Sequence, residues 1–283
     1  MWHNLVNTRY FSEAAIAFKK NGGRYTTAPR GSRDYVEYWE EQERRCRVGY
    51  QVGDTWITGR HYFYLNFTVM QRTREGANSK TGQKVTDFPR FTEMQYEWWR
   101  FKHIAWNGGT FMGVKSPGGK HMCCGKTRRA GFSYMEAADG TYNYNFIDGS
   151  KSYYFASRED YLTKDGILVK VNDNIEWINQ HSTRWLKNRH EKSTMMHQRA
   201  TLKDEFGSIK GSRSEIMGVI VDDPHKTRGK SGMKITFEEA GSFKRLKEAL
   251  EISMGSIIDG ARFVGQVTVF GTGGEEGPSL EGL

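Results

Sequence analysis

The run Gly125-Lys126-Thr127-Arg128-Arg129-Ala130-Gly131-Phe132-Ser133 decides how this chain is read. Apolar His121-Met122-Cys123-Cys124 precedes it and reads as a short strand, and Tyr134 to Ala138 reads as a helix. A strand, a glycine loop and a helix start, in that order, aim backbone N–H groups at a phosphate. The usual pattern is G-x-x-x-x-G-K-[ST]. Here Phe132 fills the lysine slot, and five residues rather than four separate the two glycines. Lys126, Arg128 and Arg129 place positive charge inside the loop instead, and Ser133 keeps the hydroxyl that ligates Mg²⁺ in such loops. Taken alone, the run suits a basic glycine turn as well as it suits a nucleotide site.

Two later segments shift the balance. Met233 to Phe237 reads as a strand ending in Glu238-Glu239-Ala240-Gly241. An apolar strand tipped by two acids suits a nucleotide hydrolase, one acid holding Mg²⁺ through water and the next polarising the attacking water. The competing reading is an acidic first turn of the helix expected from Ser242 to Met254. Gly265 to Phe270 is a third β-rich run, ending in Gly271-Thr272-Gly273-Gly274. Strand C-termini line the ligand crevice of a parallel sheet, where a hydroxyl such as that of Thr272 senses a γ-phosphate. A plain glycine turn is the alternative there.

In this order the three motifs resemble the ATPase domain of the viral large terminase, the DNA-packaging motor of tailed phages. The loop Lys126 to Ser133 looks like that family's deviant Walker A, Glu238 and Glu239 match its Walker B acid and catalytic glutamate, and Gly271-Thr272-Gly273 resembles its coupling motif. Glu238 departs from the Asp common at that place. The resemblance covers roughly residues 88 to 277. It implies ATP on Gly125, Lys126, Thr127, Arg128, Arg129, Ala130, Gly131, Phe132 and Ser133, with Mg²⁺ on Ser133 and on Glu238. Glu239 orients water, Lys126 neutralises β/γ-phosphate oxygens, and Arg128 or Arg129 acts as an arginine in cis. Arg228, in Lys226-Thr227-Arg228-Gly229-Lys230, resembles an Arg-Gly turn of the family that reaches a nucleotide in cis or in trans. An exposed basic turn is the plainer reading. Gln95 resembles the family's adenine-reading glutamine, with Gln71 as the competing residue and Phe88 or Phe91 to stack on the ring.

Composition agrees with a polyanionic partner. The chain has 283 residues and a formal charge of +9, and Lys and Arg neutralise phosphates. That length can bury a sizeable core. Three cysteines, Cys46, Cys123 and Cys124, give no disulfide framework or zinc spacing. Cys123 and Cys124 read as buried small hydrophobes. No apolar run is long enough to span a membrane, and no signal pattern opens the chain.

Along the chain, residues 1–87 read as an N-terminal arm or subdomain, 88–277 as the ATPase core and 278–283 as the start of a linker to an absent nuclease domain. Helices are expected over Tyr35–Arg45, Phe91–Trp106 and Glu159–His181. Strands are expected over Thr55–Ile57, Tyr62–Phe67, Ser152–Ala156 and Ile216–Val221, a loop over 72–87, and paired strands or an insertion over Met195–Phe206. Alternating strands and helices argue a mainly parallel sheet flanked by helices. The fold class expected is therefore an α/β P-loop NTPase of the ASCE, RecA-like kind, with an extra strand placing the catalytic glutamate beside the loop.

The resemblance implies an ATPase motor that translocates double-stranded DNA into a procapsid. Its partners would be a portal protein and a small terminase subunit, in the host cytoplasm. A homo-oligomeric ring, a pentamer, is implied when assembled, and a monomer for the isolated domain. No nuclease activity is expected. The alternatives are a helicase-like P-loop ATPase of another lineage and a non-catalytic basic DNA-binding module.

Overall fold

The computed structural model describes residues 8–73, 84–187 and 193–272. The chain divides into two compact units, one of residues 1–100 and 173–186, the other of 101–172 and 187–283. Gly273, Gly274 and the expected linker 278–283 lie outside the described residues.

The second unit is built on a six-stranded sheet. Its strands are β1 (Met122–Gly125), β2 (Lys151–Ala156), β3 (His197–Arg199), β4 (Glu215–Ile220), β5 (Lys234–Phe237) and β6 (Gln266–Gly271), in spatial order β1-β6-β5-β2-β4-β3. All neighbours are parallel except the edge strand β3, which runs antiparallel to β4. The mainly parallel α/β sheet expected from the sequence is thus present. Central strands of such a sheet are covered on both faces and read as continuous apolar runs. The runs Tyr153-Tyr154-Phe155-Ala156, Ile235-Thr236-Phe237 and Val267-Thr268-Val269-Phe270 are all buried.

Side-chain alternation along these strands builds two layers. On one face Tyr153, Phe155, Ile235, Phe237, Val267 and Val269 form a core with Phe243, Leu246 and Ala249. The last two belong to a helix over Leu246–Ser256, which starts later than expected because Ala240–Ser242 forms a 3₁₀ turn first. On the other face lies helix α1 (Phe132–Phe146), nearly all of it buried. Tyr154 turns toward α1, and its hydroxyl donates to the Glu136 carbonyl at 2.7 Å.

The first unit is an aromatic cluster on helices. Tyr25, Trp39, Phe67 and Trp185 meet ring to ring, with Phe18, Phe88 and Trp177 grouped beside them. Here one expectation is overturned: Tyr62–Phe67 is not a strand but part of a helix over Gly59–Phe67. The segment is buried on all sides, so its aromatic run shows no helical period. The deciding signals are Thr58, whose side chain caps the helix by accepting from His61 N, and Gly59. A Cβ on Gly59 would overlap the Cys46 carbonyl oxygen of helix Arg33–Val48.

Three other expectations change. The expected loop over 72–87 carries a strand pair, Met70–Thr73 with Lys84–Asp87, although 74–83 lie outside the described residues. The helix over Glu159–His181 is broken into Asp160–Thr163 and Ile167–His181, with Gly166 at the break. Cys123 is exposed and Cys124 half-buried, not core residues, because β1 is the outermost strand on its side of the sheet.

Gly59→Ala should lower thermal stability, although alanine is favoured over glycine in helices by roughly 1 kcal/mol. Overpacking of this kind costs about 1–3 kcal/mol. A melting temperature equal to or above the wild type's would refute the close approach.

Candidate nucleotide site

Inserting β6 between β1 and β5 brings three strand ends together. Gly271 of β6 pairs with Gly125 of β1, and Phe237 of β5 pairs with Val269 of β6. The residues just beyond these ends are Lys126, Thr272 and the pair Glu238-Glu239. The loop begins tied to the sheet, with Lys126 N donating to Gly271 O at 2.9 Å. It then turns through left-handed backbone at Arg129 (φ 64°) and Gly131 (φ 82°) into α1. No side chain caps that helix end. A bare helix N-terminus at the end of a glycine loop leaves amide donors and a positive dipole end for an anion.

The polar side chains form two hydrogen-bonded groups, Lys126–Glu239–Thr272 and Ser133–Glu238. Lys126 Nζ lies 2.6 Å from Glu239 Oε1. The other carboxylate oxygen of Glu239 accepts from Thr272 N and from Thr272 Oγ1, each at 3.3 Å. Glu239 itself holds a left-handed backbone at φ 50°. Its carbonyl accepts from Ser242 Oγ at 2.6 Å, and Ser157 Oγ lies 2.6 Å from that hydroxyl. Beside them, Ser133 Oγ donates to Glu238 Oε1 at 2.6 Å. Three motifs, whose contacts span 113 and 33 residues of sequence, therefore converge.

Glu238 is the perturbed carboxyl of the site. Burial pushes its carboxyl up to about 7, with neighbouring Glu239 adding to the rise, while Ser133 and Lys126 oppose it. Its Oε2 is buried without a hydrogen-bond partner. An orphaned carboxylate oxygen next to a serine hydroxyl fits a hard, largely hydrated divalent cation such as Mg²⁺, which takes one or two protein ligands plus water and phosphate oxygens. Among the described residues no group of three or more His, Cys, Asp or Glu could hold a metal, so an all-protein cage is not what this site offers.

The remaining loop residues divide. Thr127, Arg128 and Arg129 are exposed, and among the described residues neither arginine is hydrogen bonded or ion-paired. Ala130 is half-buried and Gly125 is open to solvent. Phe132 is buried with its ring 5.8 Å from that of Phe270, so the aromatic in the lysine slot anchors the loop to β6. Arg228 is exposed after a 3₁₀ turn, its guanidinium 3.3 Å from His225 Nδ1. Gln95 belongs to the first unit, where it is buried and donates to Tyr64 Oη at 3.3 Å, its Oε1 unpartnered. Gln71 is exposed in that unit and donates to Thr86.

Sequence reading missed the residues behind the site. Glu136 and Asp139 on α1 meet Lys234 on β5 and Lys102, all four buried. Lys102 Nζ is 2.6 Å from Glu136 and 2.8 Å from Asp139, and Lys234 Nζ is 2.8 Å from Asp139 and bonded to Glu136. The available signal was periodicity: 133, 136 and 139 share one helix face, and 234, 236 and 238 one strand face.

No protein-family model matches the chain, and no curated protein does. Among solved structures it is similar to the large terminase ATPase domain of Thermus phage P74-26, at 15% identity and a TM-score of 0.42. It is also similar to a mutant of that domain, at 14% identity and a TM-score of 0.44. In each case the match covers 57% of this chain and 62% of that chain. The geometry around Lys126 and Glu238-Glu239, not these distant likenesses, defines the site's chemistry. No helix among the described residues is long and apolar enough to cross a membrane.

The raised pKa of Glu238 has a stability consequence in metal-free buffer. Its folded value, about 7, lies above the ordinary 4.5. Its contribution to stability is therefore fully present below pH ~4.5 and lost as pH rises through ~7, a loss on the order of 3 kcal/mol. Glu238→Gln stays neutral and should flatten that part of a melting-temperature-versus-pH curve. An unchanged slope would refute the assignment.

Proposed function

We propose that this chain binds and hydrolyses Mg²⁺–ATP, and that it serves as the ATPase motor of a phage DNA-packaging machine. The observation that carries the first part is the convergence of Lys126, Ser133, Glu238, Glu239 and Thr272 at adjacent strand ends. The second part rests on the ordered motifs and on the net charge of +9, which suits double-stranded DNA.

Glu239 is neutralised by Lys126 and held by Thr272. Phosphate oxygens on the loop compete for Lys126 and draw it off Glu239. The released carboxylate then faces the γ-phosphate side of the loop and orients water there. Ser133 and Glu238 would hold Mg²⁺, which would supply charge neutralisation of the phosphates. Arg128 and Arg129 stand in solvent beside the helix start, and either can swing a guanidinium fork onto the γ-phosphate. Such an arginine is worth on the order of 10³–10⁵ in rate. Arg228, equally exposed, suits a nucleotide in cis or in trans. Thr272 is bonded to Glu239 through both its amide and hydroxyl, so a move of that carboxylate reaches the end of β6 directly. In the assembled motor the partners are a portal protein, a small terminase subunit and further copies of this chain in a pentameric ring, in the host cytoplasm.

The test is Mg²⁺-dependent phosphate release from ATP by the wild type and by Glu239→Gln at several protein concentrations. Release should fall at least about 100-fold in the variant while ATP binding persists. A wild-type rate per chain that rises with concentration indicates an arginine supplied by a neighbour. No release and no ATP binding at any concentration would overturn the reading in favour of a basic binding module.

A further inference from the structure

Behind the Ser133–Glu238 pair, α1 and β5 are joined by a row of polar contacts. Ser133 meets Glu238, Glu136 lies 3.4 Å from Thr236 Oγ1, and Asp139 lies 2.8 Å from Lys234. The helix contributes every third residue and the strand every second, so one face of each element is polar along its whole contact. Lys102 closes the row by bridging Glu136 and Asp139. The side chains of Lys102, Glu136, Asp139 and Lys234 are at most 6% exposed, and their formal charges cancel.

Four buried charges are a poor means of stabilising a fold, since apolar replacements often do as well or better. What they provide is geometric demand. Each carboxylate must stay within bonding distance of both ammonium groups, because a displaced partner leaves a buried charge uncompensated. That demand fixes the offset between α1 and β5. The same offset sets the separation of the Ser133 hydroxyl from the Glu238 carboxylate, one helical turn and two strand residues away. The burial of both lysines is also unequal in effect. It dominates at Lys102, whose pKa falls, whereas at Lys234 Asp139 and Glu136 outweigh it and the pKa rises.

We propose that Glu136, Asp139, Lys234 and Lys102 form a positioning device that sets the affinity of the Ser133–Glu238 pair for Mg²⁺. The proposal rests on the reading of that pair as the metal site. Outer partners that orient metal ligands typically change affinity by about 10–100-fold when removed.

The experiment is a titration of a fluorescent ATP analogue against the wild-type chain, Glu136→Gln, and the charge-balanced double variant Lys102→Met with Asp139→Asn. Each protein is titrated both without Mg²⁺ and across Mg²⁺ concentrations, with circular dichroism to confirm folding. The expected result is a half-saturating Mg²⁺ concentration raised about 10-fold or more in Glu136→Gln. A smaller rise is expected in the double variant, which keeps the Lys234–Glu136 contact. Nucleotide affinity without Mg²⁺ should stay within about 2-fold of the wild type's in both, since the phosphate loop is untouched; a general loss of structure would weaken both affinities alike. If Glu136→Gln does not fold, the double variant decides. Folded variants with wild-type Mg²⁺ dependence, or with equal losses in both affinities, would overturn the positioning role and leave the metal site standing. A wild type that binds the analogue with no Mg²⁺ dependence would instead remove the metal-site reading, and this proposal with it.

Discussion

The structure depends on the parallel pairing of Gln266–Gly271 between Met122–Gly125 and Lys234–Phe237. Were the phosphate-loop strand to pair directly with the strand carrying the two glutamates, Thr272 would have no place between them. With the intervening strand in register, Gly271 lies beside Gly125, and Lys126 is tied by its amide to the Gly271 carbonyl. A Cβ on Gly271 would meet the amide nitrogen of Ala240 at 2.7 Å. The backbone carrying Glu239 therefore passes hard against the end of that strand, and only a glycine there allows the approach. Register and one missing methyl bring the Lys126–Glu239–Thr272 and Ser133–Glu238 groups to adjacent strand ends.

Polarity in the second unit is organised by layer. The face of the sheet toward Leu246–Ser256 is apolar and closes around aromatic rings. The opposite face, toward Phe132–Phe146, carries the buried ions, and they lead without interruption to the strand ends of the candidate site. The site is the exposed end of a polar seam that runs through the interior. Glu238, at the seam's outer end, has an orphaned oxygen, while Glu136 deeper in has partners on both oxygens. A single row of alternating charges thus finishes in one group left short of a cation.

Much of this was legible in the sequence, and the reasons for the failures are specific. The three strand-plus-turn motifs are readable as an ordered set, although each alone also suits a plain turn or a helix start. Their convergence is a matter of strand order, which no local pattern encodes. The helix Gly59–Phe67 was misread as a strand because a segment buried on every side loses the alternation that distinguishes the two. Thr58 and Gly59 carried the information that the aromatic run concealed. Cys123 was misplaced because local apolarity does not reveal that its strand lies at a sheet edge. Phe132 stood out as an oddity in the lysine slot, yet its contact with Phe270 required the strand order first. The buried ions are hidden from a local reading of charge, since their partners come from positions 102, 136, 139 and 234.

The left-handed backbone at Glu239 bears on how readily the resting ion pair opens. A φ of 50° is costly for a residue with a side chain, on the order of 1–2 kcal/mol. It persists because Lys126, Thr272 and Ser242 hold the residue from three directions. Withdrawal of Lys126 removes one of those holds and lets the backbone relax toward an easier conformation. Part of the work of breaking the salt bridge is then returned as relieved torsion. Glu239 thus fastens the glycine loop to the end of the neighbouring strand, and a displacement of its carboxylate would load the contacts to Thr272.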